Sequence, residues 1–124
     1  MLVRAANAYR QVDLESAPKT QILERLFDRC LADIAAARQA IEQRDVKAKA
    51  QALDHALRIV VELKASLDVN AAPALCENLF ALYDFVTDRL VSASLTLTLQ
   101  PLDQATRVMN ELGEAFRAAH AKSR

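Results

Sequence analysis

The sequence predicts an all-α protein, an antiparallel four-helix bundle with an N-terminal extended or short helical cap segment. The first observation is composition, because the 124 residues include 24 alanines but only one glycine and three prolines, which favours helix almost throughout. The second is that apolar residues recur at spacings of three and four over four long stretches. The third is that short links with turn and cap residues separate these stretches, as in bundles of antiparallel neighbours.

The first helix begins at the segment "ESAPKTQ". Ser16 is a favourable N-cap, and Pro18 suits the first turn, where its missing N–H costs nothing. We expect this helix to reach about Gln43. Its predicted buried stripe is Ile22, Leu26, Cys30, Ile34, Ala37 and Ile41.

Asp45 is the expected cap of a second helix. Its predicted stripe is Ala50, Leu53, Leu57, Val60 and Leu67, widened by Ile59, Val61 and Leu63. The segment "SLDVNAAPAL" is the clearest interior loop, in which Asp68 or Asn70 is able to cap and Pro73 opens the third helix.

The third helix contains "ENLFALYDFVTDRL" and continues into "SASLTLTL". Residues 96–99 alternate apolar and polar as a strand does, but they are few and have no hairpin partner, so we expect a helix end or an extended link. Pro101 starts the fourth helix, in which Gly113 costs about 1 kcal/mol relative to alanine. Its predicted stripe is Leu102, Ala105, Met109, Leu112 and Phe116.

Length and charge narrow the class of protein. We expect one domain, 1–124, made of a cap segment (1–15) and a bundle (16–124). Sixteen basic and sixteen acidic residues cancel, and a pI near 6.7 lacks the basic excess of nucleic-acid binders. No apolar run is long enough for a bilayer span, and no secretory signal is present, so we expect a cytoplasmic protein without membrane insertion.

The chain has few residues suited to catalysis or metal binding. Cys30 and Cys76 lie far apart without a CxxC motif, which favours reduced, partly buried thiols over a disulfide. His55 and His120 fall in different predicted helices, so we expect no metal site and no cofactor. A single glycine cannot build a phosphate loop or a dinucleotide fingerprint, and we expect no enzyme activity.

One alternative function rests on His55. "DHALRI" loosely resembles the core motif of histidine phosphotransfer domains, which are also four-helix bundles. Arg58 matches the basic position of that motif, whereas Ile59 replaces the glycine at which a response regulator approaches. A half-exposed helical histidine without such a role is the simpler interpretation.

The sequence contains more apolar helix surface than a single stripe on each helix requires. Leu79, Leu82, Val86 and Leu90 form one stripe of the third helix, and the nearby aromatic residues fall beside it. The flanking residues in the first and third helices are Leu23, Phe27, Leu31, Phe80, Tyr83 and Phe85. They indicate either a thick core or a long groove that accepts a segment of another protein.

Several segments together resemble one family. "AYRQVDLESAPKTQILERLFDRCL" resembles the opening of the FliS-type flagellar secretion chaperones, with Tyr9, Val12, Ser16-Ala17-Pro18 and Leu26-Phe27-Asp28 in the family's order. "ELKASLD", "NLFALYDFVTDRLVSASL" and "LGEAFRAA" are similar to later family segments. Ser94 stands where the family often has asparagine, and Phe116 where it often has tryptophan.

This resemblance implies a cytosolic chaperone that binds the disordered C-terminal segment of flagellin, prevents premature polymerisation and aids type III export. It also implies that the N-terminal segment can lie over the groove as a removable lid, and it leaves room for export-apparatus components or a co-chaperone as further partners. A helical adaptor for another secretion-system protein is a second alternative. The predicted partner-binding residues are Tyr9, Val12, Leu14, Leu26, Phe27, Phe80, Leu82, Tyr83, Val86 and Leu90.

Overall fold

The computed structural model describes residues 17–120, which form four helices: α1 (Ala17–Glu42), α2 (Val46–Ala65), α3 (Pro73–Thr96) and α4 (Gln100–His120). Each helix packs against the next along the chain, and α4 also packs against α1, so the bundle closes as a ring. The described residues contain no strand. The predicted all-α four-helix bundle is therefore confirmed, while Ser16 and the predicted cap segment lie outside the described residues.

The turn between α1 and α2 is a Schellman motif centred on Arg44. The Asp45 N–H donates to the Ala40 carbonyl over 2.9 Å, and the Arg44 N–H donates to the Ile41 carbonyl over 3.1 Å. Arg44 has a φ of 57°, in the left-handed region that glycine usually occupies at this position. Asp45 then caps α2 as predicted, because its Oδ1 accepts the Ala48 N–H at 3.0 Å.

The link between α2 and α3 differs from the prediction in its capping. The Asp68 carboxylate accepts the Asn70 N–H at 3.0 Å and so stabilises the loop itself. The N-cap of α3 is Ala72 rather than Asp68 or Asn70, and this cap makes no side-chain hydrogen bond. Pro73 opens the helix as predicted, since the first helical residue needs no N–H donor.

The end of α3 lies at Thr96, and residues 97–99 form the link to α4, so the expected helix end or extended link is confirmed and no strand forms there. Leu97 closes the helix with a φ of 57°, and its N–H donates to the Ala93 carbonyl over 3.0 Å. A left-handed leucine costs about 1–2 kcal/mol, because its Cβ crowds the following carbonyl.

The core draws on all four helices. The rings of Phe27 on α1 and Phe116 on α4 pack with centroids 5.6 Å apart. The predicted stripe of α4 is confirmed, since all five of its members are buried. The largest fully buried side chains are Tyr83, Phe27, Phe116, Ile34, Leu63, Leu79, Leu90, Leu102, Met109 and Leu112.

The buried face of α1 is rotated from the predicted stripe in its first turns. Ile22 is 56% exposed, whereas Leu23 and Phe27 are buried in its place. Because α1 packs against both α2 and α4, its buried face is centred between two neighbours rather than on one partner. Farther along, Cys30 and Ile34 are buried as predicted.

Both cysteines are free, buried thiols. Burial, with a smaller contribution from the Asp33 carboxylate, raises the pKa of the Cys30 thiol to about 12. Burial, with a contribution from Asp68, also raises the pKa of Cys76. At neutral pH both residues therefore stay protonated and pack as small apolar side chains.

Gly113→Ala should stabilise the bundle by about 0.5–1 kcal/mol, because alanine loses less backbone entropy in a helix interior. Gly113 is buried in α4, and a Cβ added there would lie 3.6 Å from the nearest Phe27 atoms, an ordinary contact distance. Urea unfolding followed by circular dichroism measures the change. A lower midpoint at unchanged slope would show instead that the Phe27 ring cannot accommodate the methyl group.

Candidate functional site

A row of apolar side chains lies open to solvent along the seam between α2 and α3. Two contacts mark this seam: Lys64 Nζ lies 2.7 Å from Asp84 Oδ1 toward one end, and Lys49 Nζ donates to the Ser94 carbonyl over 3.2 Å toward the other. We name the row the α2–α3 track. Its members are Leu57, Val61, Phe80, Val91 and Leu95.

Helical spacing places these side chains on the seam. Leu57 and Val61 precede Lys64 by seven and three residues, so the three share one face of α2. On α3, Phe80 lies four residues before Asp84, and Val91 and Leu95 follow Asp84 by seven and eleven residues. The row on α3 therefore extends about 22 Å, at a rise of about 1.5 Å per residue.

The track is exposed because each helix buries a different face in the core. Val61 is 65% exposed, although its neighbour Val60 is buried. Leu95 is 79% exposed, whereas Ala93 is buried. The track thus flanks the core and lies outside the faces that close the ring of helices.

At the end marked by Lys64 and Asp84, which we call its upper end, the track is bordered by charged residues. Lys64 lies over the Phe80 ring, with Nζ 5.4 Å from the centroid, while it also pairs with Asp84. The ammonium group attracts the face of the ring, and the Lys64 stem covers part of the apolar surface. Phe80 is therefore held half-buried against the core, with part of its surface available.

At its lower end the track approaches a cavity of about 340 Å³, formed by the α1–α2 turn, the start of α2 and the end of α3. Leu97 contributes to its wall only two residues after Leu95 of the track. Most of its lining is aliphatic. The lining residues are Ala40, Ile41, Arg44, Asp45, Val46, Lys49 and Leu97.

A second, more polar furrow of about 510 Å³ lies between α1 and α2, lined by Leu26, Arg29, His55, Arg58, Ile59 and Glu62. The His55 Nδ1 contacts the buried Asp33 carboxylate. The same carboxylate pairs with Arg29, whose Nε lies 3.4 Å from Asp33 Oδ1. Arg58, the basic residue of the phosphotransfer resemblance, pairs with Asp54 at 3.0 Å. His55 and Asp33 thus tie α2 to α1, which gives the histidine a structural role.

The structure separates the predicted partner-binding residues into three groups. Tyr9, Val12 and Leu14 lie outside the described residues. Leu26, Phe80 and Leu82 are partly exposed. Phe27, Tyr83, Val86 and Leu90 lie in the core, each at most 1% exposed, and present no surface to a partner in this conformation.

Of the three aromatic residues expected beside the α3 stripe, Phe80 and Phe85 do flank the core. The expectation was wrong for Tyr83, whose ring is at the centre of the buried face. The reason is that α3 contacts α2 and α4, so its core face is centred between the positions of Leu79 and Tyr83 and includes both.

Sequence reasoning did not select three residues of the track and its lower end: Val91, Leu95 and Leu97. Val61 was placed in the widened stripe of the second helix, which the structure corrects, because its side chain faces solvent. The signal that could have found Leu95 is its spacing of fifteen residues from Phe80, about four helical turns.

The described residues present no other site that points to chemistry. Among residues 17–120, no group of three or more histidine, cysteine or acidic side chains is arranged to hold a metal ion. None of the four helices combines the length and apolar character needed to cross a membrane.

Together, the closed helical ring and the open apolar row define a four-helix bundle with an exposed apolar surface along one seam. A family model described as flagellar protein FliS matches residues 2–123. The flagellar secretion chaperone FliS of Salmonella typhimurium is 35% identical over 121 residues, covering 94% of this chain and 90% of that protein.

The FliS chaperone of Bacillus subtilis is 30% identical over 112 residues, covering 90% of this chain and 83% of that protein. That of Escherichia coli is 27% identical over 119 residues, covering 92% and 88%. The chain belongs to the FliS family of flagellar secretion chaperones, a family of chaperones and not of enzymes.

Proposed function

We propose that this protein is a cytosolic export chaperone for flagellin, which binds the C-terminal segment of flagellin and keeps it from polymerising before type III export. The observation that carries the proposal is the α2–α3 track, an apolar row beside the buried core in which Val61, Val91 and Leu95 are exposed while Leu57 and Phe80 are half-buried. The relatives in Salmonella typhimurium and Bacillus subtilis are both named flagellar secretion chaperones, which supports a flagellar protein as the binding partner. We call the bound segment of that partner the guest.

The track fits an amphipathic guest. A helix laid along the seam presents apolar residues at spacings of three, four, seven and eleven, which match the spacings of eleven and four between Phe80, Val91 and Leu95 on α3. Each fully buried large apolar side chain contributes about 1.5–3 kcal/mol. Ordering a disordered segment costs about 2–5 kcal/mol, so the guest must cover most of the track to bind tightly.

The partly exposed members of the predicted site extend the proposed contact surface. Leu26 lies on the α1–α2 furrow, and Leu82 shares a face of α3 with Arg89, which donates to Gln104 of α4. A guest that reaches both leucines must therefore pass around the bundle. Association would then bury about 1,000–3,000 Å², as is usual for folding coupled to binding. No turnover is part of this function, because the chaperone acts by sequestration.

We also propose that residues 1–15 form a cap that competes with the guest, with residues 16–124 forming the bundle. Tyr9, Val12 and Leu14 are the apolar side chains that would cover the groove. Fifteen extended residues reach about 50 Å, enough to run along a helix of the bundle. Deletion of this segment should therefore raise affinity for the guest.

Isothermal titration of the chaperone with a synthetic flagellin C-terminal peptide tests the proposal. We expect one-to-one binding with a large negative heat-capacity change, because apolar surface leaves water. A peptide of the same composition in scrambled order is the control, since it keeps charge and length but loses the helical spacing. Absence of a heat signal at tens of micromolar protein, at several temperatures, would contradict the proposed function.

A further inference from the structure

The cavity at the lower end of the track is lined by an arginine that pairs with none of the described residues. Arg44 lines the cavity, and its guanidinium has neither an ion pair nor a hydrogen bond to any residue in 17–120. The other two charged lining residues each make a hydrogen bond to the backbone, and the three side chains together leave a net positive charge at the cavity. Asp45 accepts the Ala48 N–H as the α2 cap, and Lys49 donates to the Ser94 carbonyl.

The remaining walls of this cavity are apolar. Ile41, Val46 and Leu97 lie around it, and Val46 and Leu97 are largely exposed. A volume of about 340 Å³ is at the lower end of the range for small-ligand sites and suits a few apolar side chains. The chemistry that fits is therefore an apolar residue next to an anionic group.

Backbone conformation supports a role for these side chains beyond folding. Arg44 and Leu97 are the non-glycine residues with positive φ in the described part of the chain, and both line the cavity. Glycine at either position would remove a local conformational cost. The structure instead presents a cation and an apolar side chain on opposite elements of the same cavity.

We propose that this cavity binds the C-terminal end of the guest, with the last apolar side chains inside it and the terminal carboxylate paired with Arg44. The inference rests on the proposed function. The cavity lies where the track ends, so a chain that terminates there does not have to leave the bundle. A C-terminal guest segment brings one free main-chain carboxylate, which complements the unpaired guanidinium of Arg44 in this cavity.

The test compares a flagellin C-terminal peptide with a free carboxylate and the same peptide amidated at its C-terminus. Wild-type protein should bind the amide about fivefold more weakly, because a charge-assisted hydrogen bond is lost. Arg44→Gln should weaken the acid by a similar factor and leave the amide unchanged. Arg44→Lys should retain part of the preference for the acid, since the charge remains.

Lys47→Gln is the matched control. Lys47 is an exposed cation three residues farther along that does not line the cavity, so its removal should leave the acid-to-amide ratio unchanged. Thermal unfolding of each variant verifies that the bundle is intact.

The possible outcomes separate failure of the terminal-carboxylate assignment from failure of the proposed chaperone function. Equal affinities of the acid and the amide for wild-type protein overturn the terminal-carboxylate assignment and leave the chaperone function standing. Equal weakening of both peptides by Arg44→Gln also overturns it, because the guanidinium then pairs with a side chain of the guest. If neither peptide binds, the proposed function fails and this inference fails with it.

Discussion

Leu95→Asp should weaken binding of the flagellin peptide by at least about tenfold while the free bundle remains folded. Leu95 is 79% exposed on the α2–α3 track, so the free protein loses little when the side chain becomes polar. A surface substitution changes stability by about 0.5 kcal/mol, here including an unfavourable charge near the α3 C-terminus. In the complex, the aspartate must be desolvated against an apolar guest without a partner, which costs several times more.

Isothermal titration measures the affinity, and urea unfolding measures the stability of the free variant. Phe85→Asp is the matched control, since Phe85 is an exposed apolar α3 residue about a quarter-turn around the helix from Leu95. We expect wild-type affinity for that control. If Leu95→Asp and the control bind the guest equally well, the α2–α3 track is not the binding surface.

Tyr83→Asp should abolish cooperative folding of the bundle. The Tyr83 ring is completely buried in the α3 core face. Loss of a buried aromatic ring costs about 3–5 kcal/mol, and an unpaired buried carboxylate costs several more. These losses are comparable with the total stability of about 5–15 kcal/mol for a domain. Thermal unfolding followed by circular dichroism should therefore show no sharp transition.

Phe85→Asp provides the comparison on the same helix. Phe85 is 41% exposed and lies two residues from Tyr83, and an aspartate there can pair with Arg89, four residues on. We expect its transition to stay within a few degrees of wild type, because no core packing is lost. A Tyr83→Asp variant that unfolds as sharply as Phe85→Asp would show that Tyr83 is not a core residue. Loss of guest binding by Tyr83→Asp reports unfolding and does not identify a contact.

Local sequence features were sufficient to predict the helices. Pro73 and Asp45 act at the starts of α3 and α2 through their own backbone and side-chain chemistry, independently of distant residues. The α4 stripe was also predicted correctly, because α4 buries a broad face and every member of a helical repeat falls within it. The N-cap of α3 was not predicted correctly, because the Asp68 carboxylate accepts a hydrogen bond within the loop that precedes α3.

The choice between core and flank could not be predicted in the same way. Ile22 and Leu23, or Val60 and Val61, are adjacent residues of similar hydrophobicity, and a repeat of 3.6 residues does not say which of them faces the neighbouring helices. That depends on how each helix is rotated between its two neighbours in the ring. For the same reason Tyr83 was expected beside the buried stripe of α3, and Leu95 was not selected.

The sequence by itself determined the all-α class, four amphipathic helices and most of their ends, because composition, helical spacing and capping act over a few residues. Only the tertiary structure decided which apolar side chains remain open. Closing the ring buries the faces that point inward between neighbours, and the residues about a quarter-turn away stay in contact with water. The α2–α3 track follows from that rotation, which distant contacts set, and the cavity at Arg44 forms where the α1–α2 turn meets the end of α3.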